Sequence, residues 1–298
     1  MSVVHGSVVV GVDGSAASSA TLDWAVRYAS REARTLTVVH ACGLPGAIAD
    51  FEDILASERG LKSVGRAIAR EAEHDARLTA PEVAVTSVVV MGNAGTVMVE
   101  ASETAAVVVT GARGRGAITN ALLGSVSGQL TREAHCPVVV VREPADGLAD
   151  TFADVGDRPV VVGVDGTPAS TAAVEFAFHH ASMHRAPLTV LHATWDLRER
   201  TSSVLDLTSY EERINLSEEQ ERLVAETVAG LCEKYPDVTA TELYRRGDPA
   251  RRLVEASRGA SLVVVGSRGR RLLSSTLLGS VSRAVVERAE CPVAVARP

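Results

Sequence analysis

Ala106-Val-Val-Val-Thr-Gly111-Ala-Arg-Gly114, then nine residues, then Gly124-Ser125-Val126-Ser127: a β-branched run stops at a glycine, and a second glycine opens an amphipathic stretch. An apolar run of this length bounded by glycine reads as a buried parallel strand. The glycines then read as a strand-to-helix turn, in which the backbone can come close to a ligand and adopt positive φ. The block returns as Ser261-Leu-Val-Val-Val-Gly266-Ser-Arg-Gly269, nine residues, and Gly279-Ser280-Val281-Ser282.

The repetition extends outward from the loop. Val8-Val-Val-Gly-Val-Asp13-Gly-Ser15 recurs as Val160-Val-Val-Gly-Val-Asp165-Gly-Thr167. His40-Ala41 matches His192-Ala193, Gly92 matches Gly247, and Cys136-Pro137 matches Cys291-Pro292. Self-similarity on this scale means two homologous domains end to end. Glu143 to Arg158 contains Pro144, Gly147, Gly156 and four aspartates with no sustained apolar period, so it reads as a linker. The domains are therefore expected at 1–145 and 158–298, joined by 146–157.

Short Val-rich runs alternate with helical stretches in both copies. Strands are expected at Ser7–Val12, Thr35–Ala41, Val83–Val90, Ala106–Thr110 and Val138–Val141, then at Val160–Val164, Pro187–Ala193, Val238–Tyr244, Ser261–Val265 and Val293–Ala296. Helices are expected at Ala16–Arg31 and Ala169–His184, entered through Ser15 and Thr167 as N-caps with Pro168 at the first helical position. Leu61, Val64, Ile68 and Ala72 form an apolar stripe on a second helix. Its Glu-rich counterpart, around Ser209 to Cys232, reads as a solvated face. Strand and helix in alternation predict an α/β fold, with right-handed crossovers and a doubly wound parallel sheet of five strands in each copy.

Composition agrees with this architecture. The chain has 298 residues, 46% of them hydrophobic and 22% charged, enough for two domains each with its own core. A net charge of −7 without a basic stripe argues against nucleic acid as a partner. No run approaches the roughly 18 apolar residues of a membrane span, and a cytoplasmic protein with no membrane partner is expected. Cys136 and Cys291 each precede a strand-opening proline and read as buried packing residues, with no metal site expected.

The repeated loop carries the chemistry. The first N–H groups of a helix lack intrahelical partners and carry about half a positive charge, so Gly111, Gly114 and Gly124 would bring an anion, most often phosphate, onto that terminus. Ser125, Ser127, Ser280 and Ser282 can add hydroxyl donors, and Arg113 and Arg268 can screen charge. In an open α/β sheet the other half of the site lies where the winding reverses, at the carboxyl end of strand one. With strands one and four adjacent, Asp13-Gly14-Ser15 faces Gly111–Gly114, and Asp165-Gly166-Thr167 faces Gly266–Gly269. Asp13 and Asp165 would bond ribose or base or help hold magnesium; the plain alternative is that each caps its helix. Ala41 and Ala193 would leave room for a flat base. His40 and His192 read as packed core histidines.

These features together resemble the universal stress protein family, in its tandem ATP-binding form. Both copies carry Gly-x2-Gly-x9-Gly-(Ser/Thr), an Asp after strand one and a closing Cys-Pro-Val strand, and the resemblance covers about 8–142 and 160–297. It implies strand order 3-2-1-4-5 in a Rossmann-like fold of the adenine nucleotide alpha hydrolase type. It further implies ATP in each domain, Mg2+ held mainly through the phosphates, and pairing of the domains through their fifth strands. The positions it points to are Gly11, Val12, Asp13, Ala41, Gly111, Arg113, Gly114, Gly124, Ser125, Val126 and Ser127. In the second copy they are Gly163, Val164, Asp165, Ala193, Gly266, Arg268, Gly269, Gly279, Ser280, Val281 and Ser282. Ala112 against Ser267, and Gly116 against Arg271, distinguish the two copies.

The expected function is nucleotide-dependent regulation of stress response or growth, through a protein partner the sequence does not identify. A slow ATP hydrolase or autophosphorylating enzyme and a nucleotide-free scaffold are the alternatives. No Gly-x4-Gly-Lys-(Ser/Thr) or Gly-x-Gly-x-x-Gly motif occurs, and no Glu or His is repeated beside both loops as a catalytic base. Homodimerisation through a further surface is compatible with the sequence.

Overall fold

Valine dominates the strands because β-branched side chains suit a pleated surface covered on both faces. The computed structural model describes residues 3–43, 51–114, 123–142, 158–194, 222, 224–267 and 278–297. The chain divides into two units, Met1–Ala149 and Asp150–Pro298. The first runs β1 (Val8–Gly11), α1 (Ala16–Arg31), β2 (Leu36–Cys42), α2 (Phe51–Thr79), β3 (Val85–Met91), α3 (Ala94–Ser102), β4 (Val107–Gly111), α4 (Ser125–Glu133) and β5 (Val138–Val141). The second runs β6 (Val160–Val164), α5 (Pro168–His184), β7 (Leu188–Thr194), a helical run α6 over 224–234, β8 (Ala240–Arg246), α7 (Pro249–Ser257), β9 (Leu262–Gly266), α8 (Ser280–Arg288) and β10 (Val293–Ala296).

Each unit is a parallel sheet. The orders are β3-β2-β1-β4-β5 and β8-β7-β6-β9-β10, the 3-2-1-4-5 arrangement in both. Winding therefore reverses between β1 and β4, and between β6 and β9. In the first unit α1 packs with α2 and α3 with α4, one pair on each face of the sheet. Val8, Val9, Val10, Val108 and Val109 on the central strands are wholly buried between those layers.

Helix starts and ends follow local chemistry. Ser15 caps α1 by accepting the Ser18 N–H at 3.3 Å. At its other end the chain turns out through Ala33, which takes a left-handed φ of 49°. α5 has Pro168 in its first turn, where the missing N–H has no partner to lose, and stops at Arg185 with φ 52°. Of the glutamates expected on a solvated face, those up to Glu221 lie outside the described residues. Glu226 and Glu233 of α6 are exposed as expected.

The stripe predicted for α2 is displaced. Val64 is 58% exposed, and Leu61 and Ile68 are half-buried. The buried face is Gly65, Ala69, Ala72 and Ala76. A Cβ on Gly65 would sit 2.6 Å from Cys42 Sγ, 2.9 Å from His40 Cδ2 and 3.0 Å from Val89 Cγ1. The helix thus lies against β2 and β3 through its smallest residues, a close approach that larger side chains would prevent.

Cys291 stands two residues before the last strand and is buried, as is Cys136 in the matching position. Burial is the main cause that pushes the Cys291 thiol from its ordinary 9.0 up to about 12. The folded state therefore keeps a proton that the unfolded chain releases near pH 9. The stabilisation is complete below that pH and is lost as pH rises towards 12. At pH 8.5 iodoacetamide is expected to alkylate Cys291 only after denaturant is added. Native-state alkylation of Cys291 as fast as that of the unfolded chain would contradict this.

Candidate functional site

The topology brings the two loops together. β1 and β4 are hydrogen-bonded neighbours, paired from Val8 with Val107 to Val10 with Val109, so the turns leaving their carboxyl ends lie side by side. Asp13 receives the Ser15 backbone N–H at 2.9 Å and its hydroxyl at 2.6 Å, both on Oδ1. Gly14 between them has φ 72°, a conformation glycine adopts without strain. The second unit repeats this turn: Asp165 Oδ1 receives the Thr167 N–H at 3.1 Å and hydroxyl at 2.6 Å, and Gly166 also has φ 72°. One carboxylate oxygen of each aspartate thus organises the entrance to its helix, the plain structural role.

The other oxygen lies against the glycine loop. A Cβ on Gly114 would come within 2.6 Å of Asp13 Oδ2, which sets Gly114 directly over that carboxylate. Gly111 is tight for a different reason, since a Cβ there would meet Arg113 O at 3.0 Å and Thr21 Oγ1 of α1 at 3.1 Å. Arg113 is exposed. Arg268 and Gly269, the matching positions of the second copy, lie outside the described residues, as do most of the nine intervening residues in both loops.

The loop closes back on itself at the helix start. Gly124 N–H donates to Ala112 O at 2.8 Å, and Gly279 N–H to Ser267 O at 3.0 Å. Ala112 and Ser267 in turn donate their N–H groups to Val141 O and Ala296 O at the ends of β5 and β10. Gly124 and Gly279 are the N-caps of α4 and α8, and neither supplies a side-chain cap. No acidic residue stands in either first turn. The N–H groups that follow these glycines have no intrahelical partner, and with them comes the positive end of the helix dipole. Ser125 and Ser280 are exposed at this terminus, and Val126 and Val281 are half-buried.

Four expected ligand contacts have other work. Ser127 is buried and its hydroxyl faces Gly124 O at 3.1 Å and Ala112 O at 3.2 Å; Ser282 is buried and donates to Gly266 O at 2.6 Å. These hydroxyls brace the loop from within. Gly11 and Gly163 serve helix packing: a Cβ would meet Met98 Cε of α3 at 3.1 Å in the first unit, and Leu253 Cδ1 of α7 at 2.8 Å in the second.

Ala41 and Ala193, at the ends of β2 and β7, are half-buried. Beside them the repeated histidines do more than fill the core. His40 Nδ1 donates to Val12 O at 2.8 Å, and His192 Nδ1 donates to Val164 O at 3.1 Å. Each ties the second strand of its sheet to the carbonyl preceding the aspartate. Val12 and Val164 are themselves buried. In the second unit a cavity of about 210 Å3 opens beside this turn, lined by Val164, Gly166, Thr167, Ser170, Thr171, Val174, Val224 and Thr227. The sequence carried a signal for the histidine anchors, their repetition before Ala41 and Ala193, but nothing in it pointed to the cavity.

Comparison with known proteins agrees with the duplication. The profile of the universal stress protein family matches residues 6–142 and again 157–297. A universal stress protein of Mycobacterium tuberculosis is 38% identical over 301 residues, covering 98% of this chain and 97% of the relative. A second from the same organism is 37% identical over 309 residues, covering 97% and 94%. The crystal structure of a universal stress protein from Archaeoglobus fulgidus superposes with a TM-score of 0.70 over 98% of both chains at 17% identity, a likeness of fold.

Proposed function

The chain belongs to the universal stress protein family, and on that premise we propose that each unit binds one ATP and that nucleotide occupancy regulates a stress or growth response. The observation that carries this reading is the pair of uncapped helix starts behind glycine loops, each beside an aspartate turn. The N–H groups of Ser125 and Val126, and of Ser280 and Val281, would hold phosphate oxygens, with Gly114 and Gly269 leaving the space. Arg113 and Arg268 would screen the charge. The backbone at Ala41 and Ala193 and the carboxylates of Asp13 and Asp165 would receive the base and ribose. Mg2+ would be carried on the phosphates, neutralising part of their charge. We place the domain boundary in 146–157, outside the described residues, and the protein in the cytoplasm; among the described residues no helix is long and apolar enough to cross a membrane.

The test is the nucleotide released on denaturing protein purified without added ligand, followed by uptake of ATP and magnesium by the emptied protein. One equivalent of ATP per unit is expected if both loops form anion sites. Release of mainly ADP would favour a slow hydrolase. Neither release nor uptake would leave the nucleotide-free scaffold as the better reading.

A further inference from the structure

The two units differ at one sheet edge. β8 pairs with β7 along all seven residues, from Leu188 with Ala240 to Thr194 with Arg246, and among the described residues no strand lies on its other side. Five of its seven residues are exposed, whereas in β3, the matching strand of the first unit, one is. The helix before each strand differs as well. In the first unit α2 reaches over β3, with Ser87 donating to Glu73 at 2.6 Å and Arg77 bonding Val85 O at 3.5 Å. Val228 and Cys232 replace Glu73 and Arg77 in α6, so neither bond has a counterpart.

Charge distinguishes this edge too. From Tyr244 to Arg252 the chain carries Arg245, Arg246, Arg251 and Arg252 against one carboxylate, Asp248. The first unit has Val90, Met91, Thr96 and Val97 in those places. Arg251 and Arg252 share Glu255 at 2.9 and 3.0 Å. Arg245 donates to Tyr244 O at 3.2 Å, and neither it nor Arg246 has a carboxylate partner among the described residues. Glu242, which receives the Tyr244 hydroxyl at 2.6 Å, lies towards the start of the strand, away from the arginine pair.

We propose that β8 is a docking edge for an acidic extended segment of a partner protein, which pairs along the strand and sets its carboxylates against Arg245 and Arg246. An open edge offers backbone donors and acceptors that a peptide can complete as an added strand. The arginine pair supplies the charge selection. A polynucleotide has no matching backbone ladder, and the net charge of −7 opposes it. This inference is independent of ATP binding.

The probe is a fluorescein-labelled peptide of alternating threonine and valine ending in two glutamates, titrated into the full chain and read by anisotropy. The Arg245→Val/Arg246→Met variant, which installs the residues of the first unit, is expected to bind about tenfold more weakly. On the unaltered protein, exchanging the two glutamates for lysines should abolish binding, and amide-exchange protection by the acidic peptide should fall on residues 240–246. Equal affinity for the acidic and basic peptides, protection outside β8, or stronger arginine-dependent binding of a ribonucleotide oligomer would each overturn the proposal.

Discussion

Gly114→Glu combined with Gly269→Glu is expected to abolish ATP binding by both units, a loss of at least about a hundredfold in affinity, or roughly 3 kcal/mol per site. A Cβ at position 114 already falls 2.6 Å from Asp13 Oδ2, so any side chain must push the carboxylate or the loop aside. The glutamate then brings a second negative charge to the place where phosphate would sit, and near a partly enclosed surface that repulsion is poorly screened. The fold should survive, because Gly114 is exposed and the α1 entrance is held by Asp13 Oδ1 and not Oδ2. Equilibrium dialysis with ATP and magnesium, alongside far-ultraviolet circular dichroism, makes the check. Each single variant should keep the stoichiometry of its untouched unit. Full binding by a folded double variant would remove the glycine loops from the site.

Gly65→Leu is expected to destabilise the first unit by about 3 kcal/mol, the upper part of the range for forcing bulk into a packed interface. Glycine within a helix costs about 1 kcal/mol relative to alanine, so the substitution begins with a helix-propensity gain and still loses. The opposing contacts are with the side chains of Cys42, His40 and Val89, on two paired strands that cannot separate without breaking their ladder. His40 also holds Val12 at the mouth of the site, so displacement of α2 should loosen the aspartate turn as well. Amide exchange of β2 and β3 is the measurement, since two units need not unfold as one transition. Unchanged protection in those strands would show that α2 rides on the sheet less closely than its geometry indicates.

Much of the architecture was legible because it depends on local periodicity. Buried parallel strands write themselves as continuous β-branched runs, and duplication wrote each of them twice. All ten strands therefore lie within about two residues of their expected bounds, the usual uncertainty of element ends. The loop sequence likewise told where glycine was needed. It did not tell why. Gly11 and Gly163 leave room for Met98 and Leu253 from α3 and α7, and a glycine required by a helix behind the sheet looks the same in sequence as one required by a ligand in front.

The apolar stripe of α2 went astray for a related reason. Hydrophobic periodicity ranks Leu61, Val64 and Ile68 above Gly65, Ala69 and Ala76, yet burial depends on how closely two backbones approach, and the smallest side chains allow the closest approach. Ser127 and Ser282 show the same limit at the scale of a hydroxyl. Their position after the helix start made them plausible ligand donors, and only the path of the loop, which returns the carbonyls of Ala112 and Gly266 to them, turned both inward.

The sequence alone determined the duplication, the alternation of strand and helix, and the repeated glycine loop, because each is written in residues adjacent along the chain. Tertiary structure decided which loops become neighbours, which glycines serve packing, which hydroxyls face inward, and how far each outer strand is exposed. These depend on distances between residues remote in sequence, and those distances exist only once the sheet has ordered its strands.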